Sequence, residues 1–119
     1  MGNKYKTYRD LDIWKKGIEL VKDIYEVTES FPKKEIYSLS SQMRRAAISL
    51  PSNTAEGFRR QYNKEYKQFL HIVLGSCAEL ETQLTIAMQL GFITETKEAE
   101  LLEKSDHLCR MTSNLIKKL

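Results

Sequence analysis

The 119-residue chain is poor in the residues that mark several protein classes: two cysteines, two prolines, five glycines and one tryptophan. Two cysteines are too few for the disulfide framework of a small secreted domain. So few Gly and Pro argue against a turn-rich β-sandwich, and a hydrophobic content of 41% argues against a disordered chain. Long apolar runs are missing as well. The longest stretch without Asp, Glu, Lys or Arg is Thr82 to Thr94, shorter than the roughly 18–20 residues needed to span a bilayer. The opening MGNKYKTYRD has no apolar core of a secretory signal, and Lys6 stands where a myristoylation signal requires Ser or Thr. These absences leave a small, cytoplasmic, helical protein, a single domain over residues 1–119 with no membrane contact.

Chemistry-bearing clusters are also absent. The histidines, His71 and His107, fall on different predicted helices, and Gln68 and Lys104 occupy the positions three before them. A di-iron bundle would need Glu at those positions. Neither HExxH, a metal-spaced cysteine pair, a P-loop nor GxGxxG is present. Cys77 and Cys109 each lie on an apolar stripe and read as inert core thiols. No enzyme activity, metal or cofactor is expected.

What remains is helical periodicity. A first helix is predicted from about Asp10 to Thr28, with Lys15, Lys16, Glu19, Lys22, Asp23 and Glu26 within one arc of about 120°. It carries two apolar stripes: Leu11, Trp14, Ile18, Val21, Tyr25, and Ile13, Gly17, Leu20, Ile24, Val27. Two stripes imply burial on two sides, from a central position or from a subunit contact. Phe31-Pro32 ends the segment. A second helix starts between Glu35 and Ser40, where serines could cap it, and runs to about Arg60. Pro51 should kink or break it near Leu50, with Ser49, Ser52 and Asn53 able to satisfy freed backbone groups. Ile48 and Ala55 lie off its main stripe, again suggesting a second contact surface. Asn63 is the expected N-cap of a third helix, Gly91 its left-handed C-terminal residue, and Thr94 the cap of a fourth. Short connections make an all-α, up-down-up-down four-helix bundle the simplest packing.

The net charge of +3 is unevenly spread. Residues 1–34 carry eight basic and six acidic groups, residues 35–75 six and three, and residues 76–119 five and seven. The basic middle block holds Arg44, Arg45, Arg59, Arg60, Lys64 and Lys67, interleaved with Tyr62 and Tyr66. Guanidinium groups suit bidentate phosphate contact, and aromatic rings among cations suit a nucleic-acid groove. Those six cations are the candidate nucleic-acid-binding residues. A plain solvated face explains the same composition, since the four arginines spread over about 160° of an ideal wheel. Glu56 could pair with Arg59 or Arg60, and Tyr66 falls on the core stripe.

The run SSQMRRAAISLPSNTAEGFRR (Ser40 to Arg60), followed by FLHIVLGSCAELETQL (Phe69 to Leu84), resembles the four-helix-bundle proteins encoded by intervening sequences within bacterial 23S rRNA genes. The opening Leu11 to Pro32 and the turn Gln89 to Thr94 fit the same pattern. Ser38 stands where a glycine is common, and Thr54 where the family has an apolar residue, which bears on local packing. The resemblance implies a left-handed bundle and a ring-like homo-oligomer, a pentamer by analogy with relatives of this fold. The chain is more distantly similar to accessory proteins of diversity-generating retroelements, basic barrels that engage nucleic acid; by that analogy Arg44, Arg45, Arg59 and Arg60 are contacts. Together these readings predict a non-catalytic bundle that self-associates through the second stripe of its first helix and binds structured RNA. The alternative is a protein-interaction scaffold whose arginines serve subunit or partner contacts.

Overall fold

Each segment with helical apolar spacing forms a helix. The computed structural model describes residues 5–119 and contains α1 (Asp12–Thr28), α2 (Leu39–Phe58), α3 (Asn63–Gln89) and α4 (Glu95–Lys118), with single 3₁₀ turns at Tyr8–Asp10 and Lys33–Glu35. Residues 1–4 of the expected domain lie outside the described residues. Helix α1 packs on α2 and α4, and α3 packs on α2 and α4, while the diagonal pairs stay apart. The result is the expected all-α, up-down-up-down bundle, about 50 Å long and 24 by 20 Å across.

The first helix starts two residues later than its periodicity suggests. Thr7 Oγ1 accepts from the Arg9 N–H, and Asp10 Oδ2 accepts from the Thr7 N–H. This capping box closes a 3₁₀ turn, and Leu11 then adopts an extended conformation before α1 begins. Of the two stripes on α1, Ile13, Gly17, Leu20 and Ile24 enter the core. Trp14, Ile18 and Val21 stay half-exposed, and Tyr25 is exposed.

Helix α2 approaches both neighbours closely, and small residues make this possible. A Cβ on Gly17 of α1 would lie 3.2 Å from the ring of Pro51, and one on Gly57 of α2 would lie 2.8 Å from Phe69 Cβ of α3. Pro51 does not break the helix as expected: α2 runs continuously from Leu39 to Phe58. The backbone bond lost at a proline is local. Leu50, Pro51 and Thr54 are all buried, so packing holds the helix together on both sides of the proline. Asn53 Nδ2 donates to the Ser49 carbonyl and hydroxyl, and Ser49 Oγ meets Ser76 Oγ of α3 at 2.8 Å. Thr54 is fully buried with its hydroxyl donated to the Leu50 carbonyl at 2.8 Å, so a polar residue sits in the core without an orphaned group.

The termini of the other helices follow local chemistry, with two corrections. Ser38 is the N-cap of α2, but Glu35 does the capping: its Oε1 accepts from the Ser38 hydroxyl and the Leu39 N–H. Asn63 is the first residue of α3, and Tyr62 occupies the cap position without a side-chain bond. Gly91 has φ +80°, with the Phe92 N–H bonded to the Ala87 carbonyl and the Gly91 N–H to the Met88 carbonyl, a complete Schellman motif. The ring of Phe92 then meets Phe31 at 5.3 Å, closing that end of the core. Thr94 caps α4 by accepting from the Lys97 N–H.

Two buried groups resist ionisation. Burial, assisted by Cys109 alongside, pushes the Cys77 thiol up to about 12, and burial with Tyr5 nearby pushes the Tyr66 phenol up to about 12. Cys109 is raised for the same reason. Both cysteines therefore remain protonated core thiols at neutral pH.

Replacing Gly57 by Ala should destabilise the protein by about 1–3 kcal/mol, the usual range for over-packing a core, measured by urea unfolding. Alkali should also unfold it. Below pH 9 the Cys77 thiol and the Tyr66 phenol are protonated in both folded and unfolded chains and contribute no slope. Between their ordinary values of 9.0 and 10.0 and the folded value of about 12, only the unfolded chain loses these protons. Stability therefore falls across that window. The alkaline limb of stability against pH should be flatter in Cys77→Ala and in Tyr66→Phe than in the parent protein.

Candidate nucleic-acid interface

Helices that alternate in direction bring distant stretches of sequence to a common end. The start of α1, the α2–α3 turn and the finish of α4 meet at one end of the bundle. Dividing each helix at its midpoint, the half of the molecule built from residues 5–19, 49–75 and 107–119 carries eleven Lys and Arg against five Asp and Glu. The half built from residues 20–48 and 76–106 carries seven against eleven. Two helix N-termini and two C-termini share each end, so their dipoles oppose and side chains set the sign.

Four of the six predicted cations lie at the basic end: Arg59, Arg60, Lys64 and Lys67. Lys6, Arg9, Lys117 and Lys118 join them there, and no residue-by-residue reading of the middle block would include these four. Rings shape the arrangement. The guanidinium groups of Arg59 and Arg9 each lie 5.4 Å from the centre of the Tyr8 ring, and Arg9 also lies 5.2 Å from Trp14. Arg60 rests 4.6 Å from the centre of Phe69 and 3.9 Å from the Glu65 carboxylate. The pairing expected with Glu56 does not form. Lys64 and Lys67 make no ion pair with any described residue. Arg110, in the same half, is neutralised by Glu103 and Asp106.

Arg44 and Arg45 are elsewhere. Fifteen residues of helix separate Arg44 from Arg59, about 22 Å of rise, so the six cations form two groups. The Arg44 Nε donates to Thr28 Oγ1 at 2.8 Å, and its guanidinium lies 4.5 Å from the centre of the Tyr25 ring. Arg44 and Arg45 line a shallow hollow with Tyr25, Ile36, Ser41 and Ile48. Of the two tyrosines interleaved with the basic block, Tyr62 is 60% exposed, whereas Tyr66 is in the core with its ring edge-on to Phe58.

Among the described residues, no three His, Cys, Asp or Glu side chains gather as a metal site, and His71 and His107 are both exposed. No described helix is long and apolar enough to cross a membrane. The usable chemistry at the basic end is therefore that of a cationic surface with aromatic supports.

Comparison with known proteins agrees with this architecture. A crystal structure of a protein of unknown function from the S23 ribosomal protein family of Bacteroides thetaiotaomicron VPI-5482 superposes with a TM-score of 0.82. It shares 20% sequence identity, over 88% of this chain and 98% of the other, a likeness of fold. No curated protein matches. The family model described as 23S rRNA-intervening sequence protein matches residues 9–114. With nearly the whole bundle inside that match, the chain belongs to the 23S rRNA-intervening sequence protein family.

Proposed function

We propose that the protein is a non-catalytic, self-associating bundle of the cytoplasm that binds structured RNA through its basic end. The observation that carries this reading is the convergence of Arg59, Arg60, Lys64 and Lys67 with Lys6, Arg9, Lys117 and Lys118 from two other chain segments. Phosphate groups are the polyanion that such a dispersed set of cations suits, and backbone contacts of this kind confer affinity without sequence preference. Stacking on Tyr8, Trp14 and Phe69 holds three of the guanidinium groups in place, which lowers the entropy lost when phosphate is bound. Exposed Tyr62 adds a ring on which an unpaired base could stack.

A second reading, a protein-contact surface, is favoured for Arg44 and Arg45. Arg44 is half-buried and tied to Thr28 and Tyr25, beside exposed Ile36 and Ile48. An apolar setting of this kind suits a protein partner better than a nucleic acid. The two readings thus divide the six cations between them.

With a folded fragment of 23S rRNA as the probe, log affinity should fall linearly with log salt concentration. Changing Arg59, Arg60, Lys64 and Lys67 together to Gln should weaken binding and reduce the magnitude of that slope by about 3–4, at roughly one counterion per lost phosphate contact. The double change Arg44→Gln and Arg45→Gln should reduce the slope less than the fourfold change does. Equal binding by parent and fourfold variant across the salt range would remove the proposal.

A further inference from the structure

Two surfaces of the bundle are unexplained by the single chain. The first is the flank formed by α1 and α2. Trp14, Ile18 and Val21 face it half-exposed, and Ile48 is 41% exposed at its centre. Two shallow hollows of about 310 and 320 Å³ meet at Ile48 and run along the groove between these helices. Arg44 and Arg45 border one of them, and neither forms an ion pair with a described residue. This is the spare stripe of α1 together with the off-stripe residues of α2.

The second is the solvent face of α3. Ile72, Gly75, Glu79, Thr82 and Ile86 fall within an arc of about 80°. Ile72 and Ile86 are 49% and 43% exposed, although a solvated helix face is ordinarily polar. A Cβ built on Gly75 would meet nothing within 4 Å. Glycine weakens a helix interior relative to alanine, and at Gly17 and Gly57 the close approach of a neighbouring helix accounts for it. At Gly75 no described residue of the chain does so. Glu79 lies on the same face and forms no ion pair with a described residue.

We infer that these surfaces are the two halves of one contact: the α1–α2 flank of one copy receives the α3 face of the next. The inference rests on the self-association included in the proposed function and names its geometry. The complementarity is of shape, apolarity and charge. An apolar groove accepts a helix that Gly75 allows to approach closely, while the carboxylate of Glu79 supplies the anion that Arg44 and Arg45 lack. Because the two surfaces differ, the contact is head-to-tail, and repetition closes a ring or extends a filament.

Light scattering without RNA tests this with three proteins: the parent, Ile48→Glu and Gly75→Ala. The parent should assemble at micromolar concentration. Each variant should associate about tenfold more weakly or worse, with unchanged helix content by circular dichroism. For Gly75→Ala this loss runs against the rise in helix propensity, so it cannot come from unfolding. Mixing the two variants should give one-to-one heterodimers at concentrations where each alone is monomeric, since each keeps the surface the other has lost. A monomeric parent would overturn self-association itself. An assembled parent whose two variants stay monomeric on mixing would overturn only the head-to-tail pairing, and normal assembly by Gly75→Ala would overturn the α3 face.

Discussion

The bundle depends on how closely α2 can lie between α1 and α3. At the Gly57–Phe69 contact there is no room for another carbon atom, and at Gly17–Pro51 one would be tighter than an ordinary van der Waals contact. These positions fix the separation of three helices, and the larger side chains fill the space that this separation leaves. Met43, Leu50, Leu70, Leu80, Leu84, Leu101 and Leu108 are all buried almost completely under that constraint. Hydrophobic burial is non-directional, so register along the helices needs something else. Polar ties supply it, with one between each adjacent pair. Arg44 bonds to Thr28 between α2 and α1, and Ser49 meets Ser76 between α2 and α3. Ser105 donates to Glu81 between α4 and α3 at 2.7 Å, and Lys104 pairs with Asp23 between α4 and α1 at 2.8 Å. Each is modest alone, yet sliding any helix by one turn would break two of them.

The same alternation that packs the helices sorts the charges. Helix α4 begins acidic and ends basic, which suits its own dipole. Because α4 returns to the end where α2 gives way to α3, Lys117 and Lys118 reinforce Arg59, Arg60, Lys64 and Lys67 and do not mask them. Glu95, Glu98, Glu100 and Glu103 are carried to the far end. A net charge of +3 thus understates the field that a polyanion meets at the basic end. At physiological salt, screening acts over about 8 Å, much less than the 50 Å length of the bundle. The acidic end therefore does little to weaken the basic one.

Much of this fold is legible in the sequence because it rests on local chemistry. The Schellman turn at Gly91, the Thr94 cap, the ending of α1 before Pro32 and the core position of Tyr66 each follow from a residue and its near neighbours. The failures share a cause. Pro51 signals a break, but its ring is the surface that packs on Gly17, and tertiary burial overrides the local preference. Asn63 is a better cap than Tyr62 in isolation, yet the chain leaves the α2 C-terminus in a path that places Tyr62 at that position. The basic end was hidden by adding charges over contiguous segments. Reversing every second helix before adding them would have united Lys6, Arg9, Lys117 and Lys118 with the middle block, and would have parted Arg44 and Arg45 from it. Thr54 shows the converse: a polar residue on a core stripe is harmless where its hydroxyl can bond four residues back.

The two proposed surfaces are compatible because they lie in different directions. Contacts through the flanks of a rod leave its ends free, so assembly by that route covers the spare apolar faces without burying the cations at the basic end. In a closed ring every subunit is related to the next by rotation about one axis, so rods aligned with that axis would present all their basic ends on the same side. Assembly would then multiply the phosphate-binding surface. Weak contacts made by each end would act together on one folded RNA, with an effective concentration set by the fixed spacing of the subunits. The fourfold variant at the basic end and the two flank variants change separate surfaces. Loss of affinity in a flank variant whose cations are all intact would measure how much of the binding comes from assembly.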